Sequence, residues 1–230
     1  MDPIVSLFKH RELLWQFLLR NVSSRHRGSV LGALWLVINP LLMLGLYVFA
    51  FGIVFGGRFT DSPDESTLEY ALGIFLGLNV LGLISGTIGA SPASIVGQPN
   101  FVKKVVFPLE VLPAAMTGAL AYDLLIGFGL CLTGILFLGP GLSLSVLYLP
   151  VILFPVFLMA LGLSWFFSAL GVFVRDVSQL GSFLGLALLY ASGVFYSAEK
   201  AQAAAPEIWQ FLQWNPILQV IDSLRQVTLW

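Results

Sequence analysis

Residues 31–55 contain no charged side chain, and the short stretch just before them carries Arg25, His26 and Arg27. At about 1.5 Å of rise per residue, a helix over such a run crosses the roughly 30 Å hydrocarbon layer of a bilayer. A basic flank on one side only also orients it, because Lys and Arg are retained on the cytoplasmic face. The run is interrupted by Asn39-Pro40, which places a polar side chain and a missing backbone donor inside the span. The loss of that donor predicts a bend there.

Composition carries the same message through the whole chain. Charged residues make up 10% of the 230 positions, hydrophobic residues 58%, and the mean hydropathy is +0.92. Soluble domains carry about 25% charged residues, so the fold class is an all-α integral membrane protein. A net charge of −1 gives no basis for nucleic-acid binding. The one cysteine, Cys131, lies in an apolar stretch and can form no internal disulfide. The amino terminus is no secretory signal, since the basic region is too long and the apolar run behind it far exceeds a signal core.

Residues 1–30 read as a basic leader, with 3–22 forming a helix on the membrane surface. Ile4, Leu7, Phe8, Leu14, Trp15, Leu18 and Val22 share its apolar face, and Lys9, Glu12, Gln16, Arg20 and Ser23 the polar one. Arg11 stands at the edge. Residues 31–198 read as a bundle of five spans, at about 31–55, 70–96, 111–138, 146–174 and 180–197. The connections alternate in charge. Asp61, Asp64, Glu65 and Glu69 surround the lone Arg58 in the first, whereas the second holds Lys103 and Lys104 and no acid. Summed by alternate sides, eight of the 11 Lys and Arg residues share the side of the amino terminus. That side, with the lysine pair and Arg175, is the cytoplasmic one. Residues 199–230 then form an external interfacial segment with a short helix beginning at Pro206, and the chain reads as cut off before a final span.

Inside the spans, Asp123 is the only acid, and its expected role is a hydrogen bond or a wet cavity. A proton relay would need ionisable partners in other spans, which the sequence lacks. The pairs Gly52/Gly56, Gly73/Gly77, Gly82/Gly86 and Gly181/Gly185 read as surfaces where helices approach closely. No phosphate-binding loop of the G-x-x-x-x-G-K-[ST] kind, no metal-ligand cluster and no nucleophile–base set is present, so neither catalysis nor nucleotide binding is expected of this chain.

Three blocks carry a family resemblance. The first is Arg27-Gly-Ser-Val-Leu-Gly-Ala-Leu-Trp-Leu-Val-Ile-Asn-Pro40. The second is Asn100-Phe-Val-Lys-Lys-Val-Val-Phe-Pro-Leu-Glu-Val-Leu-Pro113. The third is Asn215-Pro216 followed by Arg225. Together they resemble the membrane subunit of type-2 ABC exporters, most closely the permeases for O-antigen and capsular polysaccharides. The resemblance implies a homodimer of six-span subunits in the bacterial inner membrane, with the amino terminus cytoplasmic. It also implies a separate ATP-binding cassette subunit carrying ATP and Mg, membrane lipids as surroundings, and a lipid-linked polysaccharide as substrate. Residues 3–22 and 98–107 would dock that ATPase, through Lys9, Arg20, Gln98, Asn100, Lys103, Lys104 and Phe107.

A kinked, aromatic channel wall is expected from Trp35, Asn39, Pro40, Tyr47, Tyr122, Asp123 and Trp165. Trp209, Trp214, Asn215 and Pro216 would close its outer end. Alternative cargoes are a drug or a lipid. A non-transporting scaffold is the alternative from outside transport.

Overall fold

The computed structural model describes residues 3–24, 30–60, 65–104, 107–139, 141, 143–174 and 176–229. The basic run Arg25–Arg27, the acids Asp61 and Asp64, Arg175 and Trp230 lie outside them, as do the side chains of Lys103 and Lys104. The described residues hold helices and turns and no strand.

The leader forms two helices, α1 (Pro3–Lys9) and α2 (Arg11–Ser24), separated by a turn at His10. The first span is α3 (Trp35–Tyr47), entered through a 3-10 turn at Gly32–Leu34 and extended by a π-helix over Val48–Val54. The α-helix runs through Pro40, and a π segment follows it over Val48–Val54. Next come α4 (Thr67–Val96), the short α5 (Pro99–Lys104) and α6 (Val111–Leu138). A 3-10 turn at Leu144–Tyr148 leads into α7 (Leu149–Phe173), followed by α8 (Val177–Ala191). Three further helices follow: α9 (Ala198–Ala204), α10 (Pro206–Leu212) and α11 (Pro216–Thr228).

Among the described residues, four helices are long and apolar enough to cross a membrane: Trp35–Val54, Thr67–Val96, Val111–Leu138 and Leu144–Phe173. The fifth expected span is shorter than 180–197. Helix α8 ends at Ala191, because Gly193 adopts φ +67 and turns the backbone out of the helical region. The apolar residues after it, Val194 and Phe195, are buried in that turn rather than extending a span. Local signals explain other boundaries. Ser66 and Glu69 form a reciprocal capping box at the start of α4: the Ser66 N–H donates to Glu69 Oε2 at 3.0 Å, and the Glu69 N–H to Ser66 Oγ at 3.1 Å.

The chain divides into two compact units. The first comprises Met1–Gly32, Gly82–Asp123 and Phe157–Leu186; the second comprises Ala33–Leu81, Leu124–Val156 and Ala187–Trp230. In the first, small residues set the packing. A Cβ on Gly171 would run into the Pro92 backbone, and one on Gly181 would lie 2.9 Å from the Ile88 carbonyl oxygen. A buried hydroxyl chain adds polar links: Ser91 Oγ lies 3.2 Å from Ser164 Oγ, which donates to the Pro113 carbonyl at 3.0 Å. In the second unit, Gly73 faces the Phe59 ring and Gly77 meets Val194 and Ile221. There the Phe51 and Phe195 rings stack at 4.1 Å.

Candidate functional site

The first unit brings the leader onto the connection after α4. Phe17 of α2 is buried with Leu112 and Ala115 of α6, and Leu13, Leu14, Leu18, Phe101 and Phe107 pack around them. The three rings form a closed cluster, with Phe17 at 5.3 Å from Phe101 and 5.5 Å from Phe107, both edge-on, and Phe101 at 5.1 Å from Phe107. Beside it, Arg20 Nη2 donates to Gln98 Oε1 at 2.9 Å while its guanidinium lies 4.4 Å from the Phe17 centroid. Arg20, Gln98 and Phe107 are thus assembled on one patch. Lys9 and Asn100 are exposed.

Phe17 and Phe101, absent from the sequence reading of the docking set, hold that patch together. Phe17 sits four residues after Leu13 and three after Leu14, so the helical period contained the signal. Conversely, Phe8 and Trp15 of the expected apolar stripe are exposed.

The residues considered for a channel wall divide between the units. Tyr122, Asp123 and Trp165 belong to the first. The Trp165 ring N–H donates to the Glu110 carbonyl at 3.1 Å, which ties α7 to the start of α6. Tyr122 is exposed and Asp123 half-buried. Trp35, Asn39, Pro40 and Tyr47 belong to the second unit, where Asn39 is exposed and the Tyr47 ring lies 5.2 Å from that of Phe195.

A buried polar arrangement lies in the second unit, around α11. Asn215 caps that helix, its Oδ1 accepting from the Ile217 N–H at 3.0 Å and its Nδ2 donating to the Ala191 carbonyl at 2.9 Å. Pro216 occupies the first turn, where its missing N–H costs nothing. The helix buries Ile217, Leu218, Ile221, Leu224 and Thr228, and with them Arg225. The Arg225 guanidinium donates to three carbonyls: Val194 at 2.8 Å, Tyr196 at 3.2 Å and Gly73 at 3.3 Å. It lies 3.7 Å from the Phe59 ring centroid and 3.8 Å from Asp222 Oδ1. Burial pulls its pKa down to about 10, with Asp222 working against the fall, so the group stays charged at neutral pH. Burial pushes the Asp222 carboxyl up, and Arg225 opposes this.

A second buried charge, Glu65, accepts from the N–H groups of Phe59 at 2.9 Å and Thr60 at 2.7 Å, closing the loop beneath that ring. Trp209 is half-buried and Trp214 exposed next to this assembly. Among the described residues no group of His, Cys, Asp and Glu is placed to hold a metal ion.

Long apolar spans, an amphipathic leader locked to an inter-span helix, and a folded segment after the last apolar helix define a polytopic α-helical membrane subunit. The chain belongs to the ABC-2 type transporter family, whose sequence profile matches residues 12–229. A family of this kind implies a partner ATP-binding subunit. The chain is similar to the O-antigen export system permease protein RfbA of Myxococcus xanthus, 25% identical over 96% of this chain and 82% of the relative. It is also 25% identical to a permease of the same name from Klebsiella pneumoniae, over 90% of this chain and 76% of the relative.

Proposed function

We propose that this chain is the membrane-embedded subunit of an ATP-driven exporter that moves a lipid-linked polysaccharide of the O-antigen type outward across a bacterial inner membrane. The observation that supports this reading most is the likeness, along 96% of the chain, to a permease named for O-antigen export. Two copies enclose the conduit, and a separate subunit binds ATP and Mg. The amino terminus, α5 and Arg175 face the cytoplasm, because eight of 11 Lys and Arg residues fall on that side.

The patch of α2 and α5 is where the ATPase pushes. Its cluster of three rings and the Arg20–Gln98 bond make a rigid block against α6, so displacement of α5 is handed to the third span rather than absorbed by a loop. Lys9, Asn100, Lys103 and Lys104 supply the charged and polar rim of that contact. Trp209, Trp214, Asn215 and Pro216 flank the outer mouth of the path.

The reading is tested by deleting the gene and assaying polysaccharide at the cell surface and glycan held on its lipid carrier inside. Surface polymer disappears, carrier-bound glycan accumulates, and this chain with its ATPase restores export. Normal surface polymer in the deletion strain refutes it.

A further inference from the structure

The second unit carries a cleft of about 530 Å³, bounded by the start of α9, the end of α10 and the outward face of α11. This size falls within the roughly 300–1,000 Å³ typical of small-ligand sites. Its two walls differ in chemistry. One is formed by the indoles of Trp209 and Trp214, the latter 80% exposed. The other is the polar stripe of α11, where Gln219, Asp222 and Gln226 recur at helical spacing. The opposite face of the helix carries the buried Ile221 and Leu224, and Arg225 lies at the border, 3.8 Å from Asp222 Oδ1.

From this arrangement we infer that the cleft is a saccharide-binding site on the outer side of the subunit, taking a short stretch of the glycan. The inference rests on the export reading and its sidedness. A sugar ring presents a flat patch of C–H groups on one side and hydroxyls around its rim. Indole faces suit the first and amide and carboxylate groups the second. The Gln226 side chain has no hydrogen-bond partner among the described residues and is available to a hydroxyl. Asp222 adds a carboxylate acceptor beside it, and Ser223, whose hydroxyl donates to the Gln219 carbonyl at 2.8 Å, offers its oxygen as a second acceptor.

The charge of the site selects against phosphate. Among the described residues no cationic side chain lines it: Arg225 is fully buried and engaged by three carbonyls, and Lys200 of α9 is turned to the Arg58 and Thr60 carbonyls. A lipid headgroup phosphate would therefore meet the Asp222 carboxylate with no cation lining the cleft to receive it, Arg225 already being paired with Asp222. A chain leaving the conduit can be held here by repeated weak contacts, which hinders its slipping back between power strokes.

The test uses the full permease–ATPase assembly in nanodiscs and delipidated polysaccharide released from the source cells by mild acid. Trp214→Ala and Gln226→Leu are each expected to weaken glycan binding about tenfold, with Trp214→Phe retaining most of it. Glycerol phosphate, a headgroup mimic, should not compete. Wild-type-like binding by Trp214→Ala and Gln226→Leu, in assemblies that still export, overturns the cleft alone. Displacement by glycerol phosphate overturns it in favour of a lipid site. A wild-type assembly that neither exports nor binds glycan overturns the export reading and the cleft together.

Discussion

Arg225 occupies a position in α11 that the helical period assigns to an apolar side chain, and the surroundings explain how it is accommodated. The turn after α8 leaves the Val194 and Tyr196 carbonyls without helical partners, and the guanidinium fork supplies donors to both. The Phe59 face and Asp222 lessen the cost of burying its charge. Substituting Arg225→Ala strands those carbonyls and leaves Asp222 without its counter-charge, for a destabilisation of about 3–5 kcal/mol. Arg225→Lys keeps the charge but loses the fork, so it should recover only part of that. Thermal unfolding of the purified subunit in detergent checks both. Wild-type stability in Arg225→Ala would show that the network contributes nothing net.

At the scale of elements, the junction of α2 with α5 and α6 joins a large apolar contact to a small polar one, and magnitudes decide between them. The Arg20–Gln98 bond is exposed and is worth about 1 kcal/mol. Phe17 is buried in a three-ring cluster, where removal of the ring costs about 3–5 kcal/mol. Phe17→Ala should therefore detach the leader and lower ATPase co-purification strongly, whereas Arg20→Ala should alter it by less than about fivefold. Equal losses in a pull-down of the ATPase by the two variants would mean that the polar contact, not the aromatic one, sets the junction.

For the whole molecule, the spans differ in how much protein they meet within one subunit. Thr67–Val96 is 72% buried over its most apolar window, whereas Trp35–Val54 is 0% buried. Apart from the side where Tyr47 and Phe51 meet Phe195, that helix is left to face lipid or another chain. Sidedness is testable because Cys131 is fully buried and contributes little labelling background. In spheroplasts, a membrane-impermeant maleimide should label Gln202→Cys on α9 at once and Asn100→Cys on α5 only after permeabilisation. The opposite pattern would put α5 on the outer surface, away from ATP.

The sequence alone determined the all-α membrane class, because hydrocarbon excludes charge and unpaired backbone whatever the neighbours are. It overran the fifth span, since the apolar Val194 and Phe195 read the same whether they face lipid or fold into a turn. The tertiary structure decided which residues meet: Arg20 with Gln98, 78 positions away, and Arg225 with Gly73, 152 positions away. A helix apolar on every side carries no phase from which its rotation can be read, so such pairings emerge only from packing.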